Sequence, residues 1–123
     1  MTKNIVKTIA LENGFELKIM DVSRKISADA FAVKMKACVD IDVTPELFTR
    51  GLPPDLTFDR ISRVLGRRII YTYELERNFI MDHEKDGVFK SLVDTFLDNS
   101  GRYVGTPVFA EKFALKKYAD KVG

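Results

Sequence analysis

The clearest pattern in the chain is an alternation of apolar and polar side chains over residues 31–43. Every odd position is apolar, and from residue 34 onward the even positions are charged, polar or small. This period of two is typical of a strand with one buried face and one solvent-facing face. A straight strand of this length would span about 43 Å, so the sheet is expected to curl around its helices or to project its hairpins. The apolar positions are Phe31, Val33, Met35, Ala37, Val39, Ile41 and Val43.

Three further strands are predicted around this one. Residues 5–11 and 15–26 flank Asn13-Gly14, a pair whose tolerance of positive φ suits a tight hairpin turn. In the second of these strands the apolar parity changes after Ile19, which predicts a bulge near Met20-Asp21. A fourth strand is predicted over residues 69–79, where the apolar positions are Ile69, Tyr71, Tyr73, Leu75 and Phe79.

The remaining apolar residues recur at helical spacing. A short helix is predicted to end at Gly66, a second to run over residues 82–97, and a third over residues 107–121. In the third, Phe109 and Phe113 lie beside the apolar stripe, which is made of Val108, Leu115, Ala119 and Val122. The order of elements predicts an α+β fold: a curled four-stranded antiparallel meander, β-β-β-(α)-β-α-α, with helices packed on one face. The whole chain, residues 1–123, is expected to form a single domain.

Composition and charge exclude several classes of protein. The chain is 46% hydrophobic and 31% charged, which is the composition of a folded globular protein and not of a disordered one. Its 20 basic and 18 acidic residues alternate in blocks along the sequence. A nucleic-acid-binding protein is expected to have a dominant basic stripe, and the best basic block here is the five arginines of residues 50–68. Nucleic-acid binding is therefore not expected.

The cysteine content and the apolar runs indicate a compartment. Cys38 is the only cysteine, so an internal disulfide is impossible, which fits a reducing environment. The longest uninterrupted apolar run covers residues 30–33, far short of the roughly 20 residues that span a bilayer. The sequence predicts a cytoplasmic protein with no membrane segment.

No arrangement of side chains predicts catalysis, a metal or a cofactor. His83, the only histidine, stands among Asp82, Glu84 and Asp86 at the start of a predicted helix. Acidic residues are favoured there by the helix dipole, so a capped helix end is the better interpretation than a metal site. Cys38 has Lys36 and Asp40 two residues away on either side, and their effects on the pKa of a thiol oppose each other.

The best candidate ligand site combines residues from two interrupted strands. Asp21, Ser23 and Arg24 lie where the second strand loses its alternation, and Arg77 and Asn78 lie where the fourth does. An arginine directed toward a core face needs a carboxylate or an anionic ligand. Two interpretations stay open: a structural Asp21–Arg77 ion pair, or a site that binds a small anion.

The order of motifs resembles that of a family of small bacterial proteins with no assigned function. The motifs are G-F-E-L-x-I-x-D-x-S-R, then the long alternating strand, then E-R-N-F and F-A-x-K-F. The resemblance implies no activity. The sequence therefore favours a non-enzymatic binding or regulatory module that acts through a protein partner or as a homodimer. The alternative is a small-anion or nucleotide-binding domain that uses Arg24 and Arg77.

Overall fold

A computed structural model describes residues 5–48 and 51–123. These residues form an antiparallel sheet with helices packed on one face, so the predicted α+β fold is confirmed. The strands are β1 (Ile5–Ala10), β2 (Glu16–Asp21), β3 (Arg24–Lys25), β4 (Ala30–Asp42) and β5 (Arg68–Met81). The helices are α1 (Phe58–Leu65), α2 (Lys85–Phe96), α3 (Arg102–Val104) and α4 (Phe109–Val122). Short 3-10 turns occupy Pro45–Phe48 and Asp82–Glu84, and a π turn occupies Leu97–Gly101.

The long alternating segment forms the central strand, β4. It pairs with β2 and β3 on one side and with β5 on the other, which leaves β1 and β5 at the two edges of the described sheet. Its odd positions from Val33 to Ile41 are fully buried under the helices. The predicted strand over residues 31–43 is confirmed, within one residue at each end.

The predicted second strand is broken into β2 and β3, and it has no extra residue near Met20-Asp21. The ladder shifts there on the β1 side instead, where Val6 lies between the Ile5–Met20 and Lys7–Ile19 pairs. Asp21 aligns with Met35 and Arg24 with Ala32, so the two chains advance by the same number of residues across the break. Parity is therefore not reset. Ile26 stays on the solvent face of the sheet, where 36% of it is exposed. The sequence pattern was misleading because this face of the sheet carries isolated apolar side chains, which a protein surface tolerates.

A bulge that the sequence pattern does not predict is present in β5. Arg77 aligns with Val33 and Ile80 with Phe31, so Asn78 and Phe79 together lie opposite one residue of β4. Phe79 has a φ of 60°, in the left-handed region, where a residue with a Cβ loses about 1–2 kcal/mol. It is 75% exposed. The expectation that Phe79 shares the packed parity of the strand is therefore wrong.

The helices begin and end mostly where the sequence predicts. Thr57 caps α1 by accepting the N–H of Arg60 at 3.3 Å, and Gly66 ends it with a φ of 82°. In α2, Leu92 and Phe96 are buried against the sheet. In α4 the predicted stripe is wrong: Phe109, Ala110 and Ala114 are buried, whereas Ala119 and Val122 are exposed.

Asn13 ties the β1–β2 hairpin to the helical layer. Its amide nitrogen donates to the carbonyl oxygens of Val104 at 2.8 Å and Thr106 at 3.0 Å, and its Oδ1 accepts the N–H of Phe15 at 3.2 Å. The two bonds that the amide nitrogen donates join residues more than ninety positions apart. The Asn-Gly pair therefore forms a turn and also fastens the hairpin to the α3–α4 connection.

Replacement of Asn13 by aspartate tests this tie. The variant keeps the side-chain size but directs a carboxylate oxygen at two carbonyl groups, so we expect a loss of about 2 kcal/mol in the free energy of unfolding. Urea denaturation measures it. The matched control is Asn99→Asp, at an exposed position of the π turn. Equal losses in the two variants would contradict the assigned role.

Candidate functional site

The sheet separates the two arginines of the candidate anion site. Arg24 aligns with Ala32 on the solvent face, and its Nη1 lies 3.4 Å from Glu76 Oε2. Arg77 aligns with Val33, whose side chain is buried on the helix-covered face. Because adjacent positions of a strand point to opposite faces, Arg24 and Arg77 do not converge on one ligand.

The polar groups near position 21 support the backbone. Asp21 Oδ1 accepts the N–H of Ser23 at 3.0 Å, and Ser23 Oγ accepts the N–H of Lys34 at 2.9 Å. These bonds hold the chain where β2 gives way to β3. Asp21 lies on β2 and Arg77 on β5, with β4 between them, so the two residues are not on adjacent strands. Asn78 lies in the β5 bulge.

The Ser23 hydroxyl provides a second test. Ser23→Ala removes the acceptor for the half-buried Lys34 N–H, and we expect about 1 kcal/mol lower stability in urea denaturation. Ser27→Ala is the control, because the Ser27 hydroxyl bond to Asp29 is exposed and long, at 3.5 Å. A loss of stability confined to Ser27→Ala would contradict this account.

Charges on the solvent face of the sheet are largely paired with one another. Lys34 Nζ lies 3.1 Å from Glu74 Oε1, and Arg68 Nε lies 3.3 Å from Asp42 Oδ1. Lys18 and Asp40 form a longer pair at 3.9 Å. Exposed pairs of this kind stabilise a fold by at most about 1 kcal/mol. Lys18, Lys34 and Arg68 each have a carboxylate partner, so these three cations are already neutralised within the protein.

Cys38 and His83 do not form a reactive centre. Burial is the main cause that raises the pKa of the Cys38 thiol, and Lys36 and Asp40 act on it in opposite directions. His83 is exposed. Across the described ranges, no group of three or more His, Cys, Asp or Glu side chains is arranged to hold a metal ion.

The raised pKa of Cys38 predicts slow alkylation. Because the thiolate is the nucleophile, we expect iodoacetamide at pH 8 to modify the folded protein more slowly than it modifies the urea-unfolded protein. Mass spectrometry follows the reaction. Faster modification of the folded protein would indicate an activated thiol.

The best-formed site lies on the helix side of the sheet, between β5 and α4. Four aromatic rings from three elements meet there. The ring of Tyr71 is in edge contact with Phe109 and Phe113, at centroid distances of 5.0 and 5.4 Å. Tyr103 is in edge contact with Phe109 at 5.3 Å. We call the groove of about 370 Å³ lined by these rings the aromatic groove.

Lysines surround the aromatic groove. Lys112, Lys116 and Lys117 line it together with a single carboxylate, Asp120. Lys117 Nζ lies 5.6 Å from the centre of the Phe113 ring, within the range of a cation–π contact. The lining therefore combines an apolar aromatic surface with a net positive charge.

The two tyrosines of the aromatic groove differ in exposure, since Tyr71 is partly buried and Tyr103 is exposed. Burial raises the pKa of Tyr71, with smaller contributions from Tyr73 and Tyr103. A tyrosine presents an apolar ring and a hydroxyl group that needs a polar partner or water, so it does not close a core as phenylalanine does. Tyr103 is 46% exposed. An incoming apolar group can therefore contact rings that the fold leaves accessible.

A larger cleft of about 640 Å³ lies between the β1–β2 hairpin and α3. Glu12 and Arg102 are its only charged residues, and its lining contains no aromatic ring. Much of it is glycine, proline and small side chains. This cleft offers less for recognition than the aromatic groove does.

Sequence reasoning missed the aromatic groove because its residues come from distant parts of the chain. Tyr71 has the apolar parity of its strand and is expected in the core, and it does contact the buried ring of Phe109 and the partly buried ring of Phe113. The usable signal was in α4, where Phe109 and Phe113 lie off the predicted stripe and lysines stand beside them. This grouping of two aromatic residues with lysines on one helix was the only sequence signal for the groove.

Comparisons with known protein families, characterised proteins and solved structures found no match to this chain. No helix among the described residues has the length and apolar character needed to cross a bilayer.

Proposed function

We propose that the protein is a non-enzymatic, cytoplasmic binding module that holds an acidic segment of a partner protein, with an aromatic side chain, in the aromatic groove. The observation that carries this proposal is the cluster of four rings, accessible at Tyr103 and surrounded by three lysines. The lone Cys38 supports the cytoplasmic assignment, because it fits a reducing compartment.

The aromatic rings and lysines that line the aromatic groove favour a ligand with both an aromatic side chain and carboxylates. Aromatic side chains dominate the energetics of protein interfaces and favour edge contacts with other rings. Lys112, Lys116 and Lys117 favour carboxylates in the flanking positions of the bound segment. A segment with one or two phenylalanines between aspartates and glutamates satisfies both requirements.

The neighbouring strand supports a polypeptide ligand over a small molecule. Tyr71 belongs to β5, and among the described strands β5 pairs only with β4, so its outer edge is unpaired. An extended segment can form main-chain hydrogen bonds with such an edge while its side chains enter an adjacent groove. The alternative anion site has less support, because Arg24 is paired with Glu76 and Arg77 lies on the other face.

Peptide binding tests the proposal. Fluorescence anisotropy with a labelled acidic peptide that has a central Phe-Phe pair should show saturable binding that weakens as salt rises. Lys116→Glu should weaken it roughly three- to tenfold, the size expected for one reversed charge at an interface edge. Tyr103→Ser should weaken it about tenfold by removing an accessible ring.

The control variant is Lys25→Glu, an equal charge reversal on β3 outside the groove. The affinity of Lys25→Glu for the peptide should differ from that of the unchanged protein only by the small effect of the altered net charge. A peptide in which serines replace the phenylalanines should not bind. Equal binding of the two peptides, or equal effects of Lys116→Glu and Lys25→Glu, would contradict the proposed function.

A further inference from the structure

The two edges of the described sheet are protected against strand pairing to different degrees. Native edge strands commonly carry inward-pointing charges or bulges that prevent another strand from pairing with them. β1 has both features: Lys7 aligns with the buried Ile19 on the helix-covered face, and the ladder shifts at Val6. In β5 the first such features are Arg77 and the bulge that follows it. Residues 69–76, all of which the structure describes, have neither feature and contain no proline.

The pairing of β5 with β4 decides which main-chain groups face the free edge. The carbonyl oxygen of Arg67 accepts the N–H of Val43 at 2.8 Å, and the register is unbroken up to Arg77. Hydrogen-bonded pairs recur at every second residue of an antiparallel ladder, so the odd-numbered residues of this stretch bond to β4. The main-chain N–H and C=O groups that point outward belong to Ile70, Thr72, Glu74 and Glu76.

We propose that the partner's acidic segment binds as an added strand, antiparallel to residues 69–75 of β5, with its aromatic side chain opposite Tyr71 in the aromatic groove. This inference rests on the proposed function and adds the conformation, direction and residue spacing of the ligand. Antiparallel pairing is slightly more stable per residue than parallel pairing. It also makes the aromatic residue and Tyr71 a non-hydrogen-bonded pair, in which opposite side chains are closest.

Strand addition fixes which side chains of the ligand enter the aromatic groove. Only every second residue of an added strand shares the face of Tyr71. Lys112, Lys116 and Lys117 line the groove on that face, so we expect carboxylates two residues before and two residues after the aromatic residue. A carboxylate at a position between them would lie on the side of Glu74, which pairs with a lysine of the solvent face. The ligand therefore has the order Asp-x-Phe-x-Asp, with uncharged residues at x.

Amide hydrogen exchange, followed by NMR on the full chain, tests the pairing residue by residue. In the free protein the amides of Ile70, Thr72 and Glu74 should exchange faster than those of Tyr71 and Tyr73, which are bonded to β4. The probe is the peptide Ser-Asp-Ser-Phe-Ser-Asp-Ser. At roughly ten times its dissociation constant, it should slow exchange at the three outward amides about tenfold.

Single N-methyl groups on the peptide provide matched controls, because each removes one main-chain donor and changes no side chain. Methylation of either serine beside the phenylalanine should weaken binding roughly three- to tenfold, since these serines bond to Ile70 and Thr72. Methylation of the phenylalanine should leave the affinity unchanged, because its N–H points away from β5. The reverse pattern would show parallel pairing and overturns the inference.

A peptide of identical composition tests the spacing of the charges. In Ser-Ser-Asp-Phe-Asp-Ser-Ser the carboxylates adjoin the phenylalanine, so an added strand directs them away from Lys112, Lys116 and Lys117. This peptide should bind roughly three- to tenfold more weakly than the first. Equal affinities for the two peptides, measured by fluorescence anisotropy, overturn the inference.

The outcomes separate this inference from the proposed function. Saturable peptide binding that leaves the amides of Ile70, Thr72 and Glu74 unprotected overturns strand addition, and the proposed function stands. Outward amides that are already protected in the free protein also overturn strand addition, because the edge is then covered. If neither the alternating peptide nor the acidic Phe-Phe peptide binds, both proposals fail.

Discussion

The structure depends on the burial of one face of β4. This strand pairs with β5 on one side and with β2 and β3 over most of the other, and its inward row from Val33 to Ile41 is excluded from solvent by the helices. Because side chains alternate between faces, the same strand directs a polar row outward, where Lys34 pairs with Glu74. Shifting the register by one residue would exchange the two rows, so the pairing is strongly specified.

The aromatic groove follows from how the helices cover β5 over that core. Phe109 is buried, whereas Tyr71 is half-buried and Tyr103 nearly half-exposed. The rings therefore pass from core to surface without a break. The exposed ring of Tyr103 packs against the buried ring of Phe109, so the fold already restricts its motion. A restricted side chain loses less conformational entropy when a ligand binds.

Elements that depend on residues close in sequence could be predicted from the chain. Features that depend on how distant strands pair could not. The alternation of residues 31–43 identified β4, and the spacing that ends at Gly66 identified α1, because each depends on neighbours in sequence. The sequence predicts a bulge in the second strand near residue 20, whereas the structure has the extra residues in β1, at Val6, and in β5 at Asn78-Phe79, where the ladder between β4 and β5 slips by one residue. That slip is a property of two strands together.

In the candidate site, too, local features could be predicted from the sequence and features that depend on strand pairing could not. Asp21 and Ser23 were polar residues at a break in a pattern, and their observed hydrogen bonds serve the backbone at that break. Whether Arg24 and Arg77 share a face depends on the register of two strands against β4, which one sequence does not reveal. The aromatic groove combines β5, α3 and α4, so its residues are neighbours only in the folded chain.

The central claim is that the rings of the aromatic groove form a binding surface. Fluorine NMR of the protein labelled with 3-fluorotyrosine measures this directly, because the chain has only four tyrosines and each resonance can be assigned with a Tyr→Phe variant. On titration with the acidic Phe-Phe peptide, we predict that the resonances of Tyr71 and Tyr103 shift while that of Tyr118, outside the groove lining, does not. Unmoved Tyr71 and Tyr103 resonances at saturating peptide would contradict the claim.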